Sequence, residues 1–217
     1  MLVPILLLAL TACSRASYDL RIVKGTLIDG TGGESRREDV GITGGRIVAI
    51  GDLSRAASAR TIAAAGLVVA PGFIDIHNHS DSTRLDEPRC ESMIRQGVTT
   101  MILGEGESAG PVKAGERSWT TLGGYFDHVS QEGVAANIGS YVGQGQVWTH
   151  VKGYDMTPAT AAELEAMKTE VDRAMRDGAL GLSTSLLMPP ANLITARQLA
   201  DLASGRAARR HLFHAHS

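Results

Sequence analysis

The feature that most constrains the fold is a change of pattern near residue 71. From there on, short apolar runs typical of strands alternate with segments whose apolar residues recur at helical spacing. The strand-like runs cover residues 72–79, 98–104, 134–143, 178–185 and 211–216, and helices are expected near 86–96, 119–131, 158–177 and 195–209. Such alternation predicts an α/β fold with a parallel sheet and right-handed crossovers.

The number of strand-like runs indicates how much of a larger fold the chain holds. A closed (β/α)8 barrel takes about 250 residues, whereas only 147 residues lie from residue 71 to residue 217. We therefore predict the N-terminal part of a (β/α)8 TIM-type barrel, with about five strands present, in a chain truncated at its C-terminus. Because such a part leaves sheet edges open and lacks the later strands, we expect the chain alone to be insoluble or inactive.

The helix expected over 158–177 has the clearest pattern. Thr157 is its predicted N-cap and Pro158 its first helical residue, positions that favour these residue types. Apolar residues then recur along one helix face, at Leu164, Met167, Val171 and Ala174.

Residues 18–70 have a different pattern, of short strands and tight turns. Apolar and polar residues alternate in "YDLRIVKGTLIDG", residues 18–30. Two short runs then flank Gly44-Gly45, a pair typical of a two-residue β-hairpin. We predict a small antiparallel β unit here, too small to hold a deep pocket alone.

The chain begins with a short apolar run, "LVPILLLAL", at residues 2–10. It is about half as long as a bilayer-spanning helix and fits the core of a signal peptide. It continues into "LTAC", residues 10–13, which resembles the lipobox of bacterial lipoproteins, whose cysteine is lipidated after cleavage. We predict a signal and lipoprotein segment over 1–17, a lipid anchor at Cys13, and export to the periplasmic or outer side of a bacterial envelope. A buried N-terminal strand is the alternative.

Charge and cysteine content exclude two other classes of protein. The formal net charge is −2, and basic and acidic residues are interspersed, so no nucleic-acid partner is expected. Two cysteines are too few for a disulfide framework. With Cys13 assigned to the anchor, Cys90 is expected to be a small core residue.

Two histidines come at the end of the first predicted barrel strand. In "APGFIDIHNHSD", residues 70–81, Asp75, His77 and His79 are spaced two apart and would face the same side of a strand. They lie at the carboxyl end of that strand, where such barrels build their active sites. Two imidazoles on one face suit a borderline metal ion such as Zn²⁺, whereas buried histidines would each need a hydrogen-bond partner. The sequence therefore predicts a metal site.

The same segment carries a family resemblance. "PGFIDIHNHSD" resembles the signature of the amidohydrolase superfamily, and "QGVTTMILGEGES", "NIGSYVGQGQV" and "AMRDGALGLSTSLLMPP" resemble successive blocks of its D-aminoacylase (N-acyl-D-amino-acid deacylase) branch. The resemblance implies a metal-dependent hydrolase on a (β/α)8 barrel, with a small β-sandwich formed from both chain ends. Residues 18–70 are then the N-terminal part of the sandwich, and residues 71–217 are the first half of the barrel.

The resemblance also implies which residues bind the metal. His77 and His79 match the paired ligands of the first strand. Many members of the branch have a cysteine ligand after the second strand. The matching position here falls at or beside Gly106, so Glu105 is the expected substitute and Glu107 the competing acid. The implied cofactor is Zn²⁺, as one or two divalent ions.

Further site residues follow from later blocks. The branch has an aromatic-x-x-His block at its fifth strand, and Phe213 and His216 stand in that register. His216 is therefore the fourth predicted ligand, with His214 as its neighbour. Ser185 and Met188 occupy positions expected to contact substrate, where glycine and tyrosine are usual in the branch.

The implied activity is metal-assisted hydrolysis of an amide. A general base is needed to move a proton from water to the leaving amine, and in the superfamily it is an aspartate expected beyond residue 217. The substrate class expected is a small N-acyl-D-amino acid. Two alternatives stay open: an amidohydrolase acting on cyclic amides or isoaspartyl dipeptides, and a non-catalytic ligand-binding lipoprotein of the same fold.

Overall fold

The computed structural model describes residues 17–81, 87–187 and 189–204, together with the backbone of Leu212–His216. The chain divides into two units, one up to Pro71 and one from Gly72. The predicted signal segment and the lipid anchor at Cys13 lie outside the described residues and stay predictions. None of the described helices is long and apolar enough to cross a membrane.

The described part of the first unit has six short strands in two sheets. They are β1 Ser17–Val23, β2 Thr26–Leu27, β3 Asp39–Thr43, β4 Arg46–Gly51, β5 Ala57–Ala63 and β6 Val68–Val69. One sheet has the order β4-β3-β1-β5, and β2 pairs with β6. The predicted antiparallel arrangement is correct for β1-β3 and β3-β4 but wrong for β1-β5 and β2-β6, which are parallel. Alternation along a strand reports its faces and not the direction of its neighbour.

The hairpin predicted at Gly44-Gly45 is confirmed. β3 and β4 are antiparallel neighbours, and Thr43 lies opposite Arg46, so the two glycines form the whole turn. Their φ angles are 57° and 73°. A two-residue type I′ turn requires positive φ at both positions, which glycine adopts without strain.

The second unit carries the predicted barrel strands. They are β7 Phe73–Asp75, β8 Val98–Leu103, β9 Asn137–Ser140, β10 Val142–Gly143, β11 Gly181–Ser185 and β12 Leu212–His216. They pair in parallel as β7-β8-β9 and β10-β11-β12. β9 and β10 are parts of one predicted strand, interrupted at Tyr141, whose amide nitrogen donates a 2.9 Å hydrogen bond to the Leu103 carbonyl oxygen. The predicted α/β order of parallel strands is confirmed.

Helices connect these strands and cover them. They are α1 Glu91–Ile94, α2 Leu122–Glu132, α3 Gln144–Lys152, α4 Ala161–Arg176 and α5 Ala196–Ala203, with a 3₁₀ turn at Ala191–Leu193. Large side chains buried in this unit include those of Trp148, Tyr125, Met101, Leu103, Met167 and Leu182. Burying one large apolar side chain contributes about 1.5–3 kcal/mol, so this core fixes the helices on the strands. Cys90, predicted as a core residue, is buried immediately before α1.

Helix α4 begins later than predicted. Its N-cap is Thr160 and not Thr157. The Thr160 hydroxyl accepts a hydrogen bond from the Glu163 backbone nitrogen, and the Glu163 carboxylate accepts one from the Thr160 backbone nitrogen. These reciprocal bonds form a capping box, which satisfies helix-end N–H groups. Thr157 lies in the preceding turn, where its backbone nitrogen donates to the Asp155 carboxylate.

Candidate metal centre

His77 and His79 follow β7 in a turn that Asp75 holds. β7 ends at Asp75, so the prediction that the three residues share one strand face is wrong. The Asp75 carboxylate accepts hydrogen bonds from the His77 backbone nitrogen, at 3.2 Å, and from the Asn78 side-chain nitrogen, at 2.6 Å. Aspartate bonded to the backbone two residues on is typical of an Asx turn. This turn, and not strand alternation, brings the imidazoles together.

The two imidazoles meet the carboxylate of Glu105. Glu105 Oε2 lies 3.0 Å from His77 Nδ1 and 3.3 Å from His79 Nε2. The two rings are almost perpendicular, at 89°, with their centroids 5.4 Å apart. More than half of each histidine side chain is exposed, whereas the Glu105 side chain is fully buried. The carboxylate of the cluster is therefore buried, and the two imidazoles are accessible from solvent.

The backbone around Glu105 is held by residues distant in sequence. The Gly106 backbone nitrogen donates a 2.9 Å hydrogen bond to the Ser183 hydroxyl on β11, and that hydroxyl donates in turn to the Gly104 carbonyl oxygen. The Gly104 backbone nitrogen donates to the Asp81 carboxylate at 3.4 Å. Both glycines have positive φ, 85° and 73°, which favours glycine on each side of Glu105. The loop after β8 thus holds the Glu105 carboxylate next to both imidazoles.

The donor atoms of this cluster fit a divalent metal ion. Ligand atoms of His77, His79 and Glu105 all lie within 4.8 Å of one another. With metal–ligand bonds of about 2.0–2.2 Å, the donor atoms around a tetrahedral zinc ion lie roughly 3.4 Å apart. The distances from Glu105 Oε2 to the two imidazole nitrogens are close to this value. Imidazole nitrogen and carboxylate oxygen are both ordinary zinc ligands. A cation here would also balance the negative charge of a buried carboxylate.

Asp81 is a second carboxyl group near the cluster. Burial raises the pKa of Asp81 to about 6, although the Gly104 backbone N–H acts in the opposite direction. A buried carboxyl group is harder to ionise because it loses contact with water. Asp81 is therefore not a fully solvated loop acid, and it can carry a proton near pH 6.

A cavity of about 320 Å³, called here the inner cavity, opens beside the cluster. Its walls include His79, Asp81, Glu107, Arg117 and Gln146. Glu107, the competing candidate ligand, is exposed on this wall and is not part of the three-residue cluster. The volume lies in the range of small-molecule sites, about 300–1,000 Å³, so a small ligand can approach the cluster from this side.

The other predicted site residues lie near or beyond the described region. Ser185 ends β11 and is packed against Gly106, where an added Cβ would lie 2.6 Å from the Ser185 Cβ. The backbone of His216 pairs with Ser185, which places it at the same end of the sheet. The side chain of His216 and the whole of Met188 are outside the described residues, so their predicted roles stay predictions.

Ser183 is a site residue that the sequence pattern did not single out. It is fully buried, and it alone bonds to both glycines beside Glu105 among the described hydrogen bonds. A faint signal exists, because strands of a covered parallel sheet are normally apolar and "GLSTS" carries three hydroxyl residues.

A protein-family model, described as "Amidohydrolase family", matches residues 60–187. The match includes all three residues of the cluster and more than half of the chain. The chain belongs to the amidohydrolase family. The resemblance predicted from the sequence is thereby confirmed.

Curated relatives place the chain in the D-aminoacylase branch of the family, as predicted. It is 36% identical over 199 residues to D-aminoacylase of Alcaligenes xylosoxydans xylosoxydans, covering 85% of this chain and 41% of the relative. It is 35% identical over 211 residues to N-acyl-D-glutamate deacylase of the same organism, covering 91% and 43%. The chain thus spans less than half the length of these relatives.

Solved structures confirm the predicted barrel fold of the chain. N-acyl-D-glutamate deacylase of Bordetella bronchiseptica, solved with zinc and a phosphonate inhibitor, matches with a TM-score of 0.87 at 33% identity, covering 93% of this chain and 45% of that chain. A crystal structure of D-aminoacylase matches with a TM-score of 0.85 at 32% identity, covering 92% and 45%. L-hydantoinase of Arthrobacter aurescens, at 20% identity and a TM-score of 0.64, covers 92% and 41% and shares the fold.

Proposed function

We propose that the full-length protein is a metal-dependent hydrolase of non-peptide C–N bonds that acts as an N-acyl-D-amino-acid deacylase. The observation that carries this proposal is the cluster of His77, His79 and Glu105 at the carboxyl ends of adjacent barrel strands. Its support comes from relatives named D-aminoacylase, N-acyl-D-aspartate deacylase and N-acyl-D-glutamate deacylase, which are 33–36% identical to this chain.

His77, His79 and Glu105 would hold the metal ion, and zinc is the best candidate for this donor set. One solved relative contains zinc, and another is described as having a binuclear metal centre, which supports one or two divalent ions. When bound, such an ion polarises a carbonyl group and lowers the pKa of bound water from 15.7 to about 7.

The described residues hold the metal ligands in place, and none of them is assigned a proton-transfer role. Asp75 orients the histidine turn, and Ser183 fixes the loop that carries Glu105. Ser185, at the end of β11, is proposed to contact substrate, and His216 to supply a further ligand from β12. The general base is proposed to be an aspartate in the sequence beyond residue 217. Preorganised ligands of this kind need little rearrangement when substrate binds.

Substrate tests on the full-length protein separate this proposal from its alternatives. The panel contains N-acetyl-D-amino acids, their L enantiomers, hydantoins and isoaspartyl dipeptides. We expect hydrolysis of the D substrates that is lost after EDTA treatment and restored by Zn²⁺. Hydrolysis confined to hydantoins or to isoaspartyl dipeptides would favour the alternative, an amidohydrolase acting on cyclic amides or isoaspartyl dipeptides. Zinc binding without hydrolysis of any compound would favour a ligand-binding protein.

A further inference from the structure

A second cavity lies next to the inner cavity, and its lining residues include none of the three residues of the metal cluster. This outer cavity has a volume of about 370 Å³ and is lined by Lys113, Glu116, Thr149, His150 and Tyr154, among others. The two cavities share Val112, Arg117 and Gln146. The two cavities are therefore adjacent, with Arg117 on the wall of both, and together they are called here the groove.

Charge changes sign along this groove. The inner cavity carries two acids, Asp81 and Glu107, on the side of the cluster. The outer cavity carries the cations Lys113 and Arg117 and one acid, Glu116. The Glu116 carboxylate accepts a hydrogen bond from the Lys113 backbone nitrogen at 3.1 Å, so it is engaged with its own loop. Because Arg117 lines both parts and Lys113 only the outer part, the outer part is the more favourable of the two for an anion.

Both cations are available to a ligand. Lys113 and Arg117 are exposed, and neither forms an ion pair with any carboxylate that the structure describes. The planar guanidinium of arginine matches a carboxylate with two parallel hydrogen bonds. Arg117 is thus the better candidate for direct recognition, and Lys113 adds positive charge.

The walls of the groove are fixed by internal hydrogen bonds. The Trp119 ring nitrogen donates to the Ala109 carbonyl oxygen at 2.8 Å, and the Gln146 side-chain nitrogen donates to the Pro111 carbonyl oxygen at 2.7 Å. These bonds connect the loop after β8 to itself and to helix α3. A groove with fixed walls binds a ligand without first paying to order them.

We propose that the outer cavity binds a second anionic group of the substrate, distant from the scissile amide, with Arg117 as the residue that determines this specificity. The inference rests on the proposed function and deepens it, because the substrate class becomes an N-acyl-D-amino acid with two carboxylates. The second carboxylate can belong to the amino-acid side chain or to the acyl group. N-acetyl-D-glutamate represents the first source, and N-succinyl-D-alanine the second.

Binding to metal-free, full-length protein tests the inference without relying on catalysis. Calorimetry compares N-acetyl-D-glutamate with its neutral isostere N-acetyl-D-glutamine, and N-succinyl-D-alanine with N-butanoyl-D-alanine. We expect at least one diacid to bind about tenfold or more tightly than its neutral partner, as for one hydrogen bond to a charged group. The diacid that shows the preference identifies the source of the carboxylate.

Matched variants assign the preference to Arg117. In R117Q the diacid preference should fall about tenfold, and in K113Q by a smaller factor. Arg176 is exposed on helix α4 and does not line the groove, so R176Q is the control that should keep the preference. Equal binding of diacids and neutral partners, or equal preference in R117Q and R176Q, would overturn the inference.

The same variants separate this inference from the proposed function. Zinc-loaded protein that hydrolyses no N-acyl-D-amino acid, yet binds diacids in an Arg117-dependent way, supports the groove assignment and contradicts the deacylase. Deacylation with an unaltered diacid preference in R117Q supports the deacylase and overturns the groove assignment.

Discussion

Oε2 of Glu105 lies 3.3 Å from Nε2 of His79, although the Glu105 side chain is fully buried and that of His79 is 57% exposed. The same oxygen lies 3.0 Å from Nδ1 of His77. The carboxylate comes from the loop after β8 and the imidazoles from the turn after β7, and these two strands are parallel neighbours. The site therefore depends on how the Glu105 loop is held, and variants of Gly106 and Ser183 test this dependence.

Gly106→Ala should damage this loop. Gly106 has a φ of 73°, and an added Cβ would lie 2.6 Å from the Ser185 Cβ. Gly115→Ala is a matched control, because Gly115 has a φ of 89° but open space around its Cα. We expect the control to lower the free energy of unfolding by roughly 1–2 kcal/mol, and G106A by about 1–3 kcal/mol more. Zinc affinity, measured by competition with a chelating dye, should fall only in G106A.

Ser183→Ala should weaken metal binding without touching a ligand. The change leaves the Gly106 N–H and the Gly104 carbonyl oxygen without their hydroxyl partner, at a cost of about 1–3 kcal/mol in unfolding free energy. Loss of such a supporting contact typically lowers metal affinity about 10–100-fold.

Ser140→Ala is the control for this experiment. Ser140 is equally buried, but its hydroxyl donates to the Tyr141 carbonyl oxygen. Denaturant unfolding and zinc titration are measured on both variants. Equal zinc affinity in S183A and S140A would contradict a supporting role for Ser183.

Thr160→Ala tests the observed start of helix α4. Removal of this N-cap hydroxyl should lower the free energy of unfolding by about 1 kcal/mol. Thr157→Ala should cost less than about 0.5 kcal/mol, because Thr157 precedes the helix and its hydroxyl contacts only its neighbours Lys152, at 3.4 Å, and Asp155 in the described structure. Urea unfolding of the two variants decides between the caps, and the reverse order would show that the helix starts at Thr157.

The capping box should also make stability depend on pH. Hydrogen bonds, first from the Thr160 backbone N–H and then from Lys152, lower the pKa of Glu163 from its usual 4.5. A lowered pKa in the folded state stabilises the fold above the unfolded pKa, and this contribution is lost as pH falls through the folded pKa. The difference in unfolding free energy between wild type and Glu163→Gln should therefore be constant near neutral pH and shrink below about pH 4.5.

Glu165→Gln, on the same helix, is the control for this pH series. Glu165 is largely exposed and pairs only with Lys168 in the described structure. A Glu163→Gln difference that stays constant down to about pH 3 would contradict the capping role of the carboxylate.

The sequence predicted the hairpin, which depends on neighbouring residues, but not helix α3, which depends on packing in the core. Gly44-Gly45 specified a hairpin because both residues adopt positive φ. Helix α3 has no counterpart among the predicted helices. It contains Gly145, Val147 and Thr149, which are poor helix formers. Its N-cap residue is Gly143, which has no side chain to accept a capping hydrogen bond. Packing of Trp148 in the core stabilises it instead.

The residues of the candidate site also differ in whether the sequence could predict them. The spacing of His77 and His79 was enough to predict a metal site, although a turn and not a strand places them. Glu105 was preferred over Glu107 from a family resemblance, and the cluster contains Glu105. Ser183 could not be predicted as the support of Glu105, because the contact joins the loop after β8 to β11, which is distant in sequence.

Zinc titration of the full-length protein tests the central claim most directly. Wild type is compared with Glu105→Gln, and with Glu107→Gln as the control for loss of a neighbouring charge. The account predicts that wild type and E107Q bind zinc alike, whereas E105Q binds it at least about 100-fold more weakly, more than the loss expected for a supporting residue. Zinc affinity in E105Q equal to that of wild type would contradict the account.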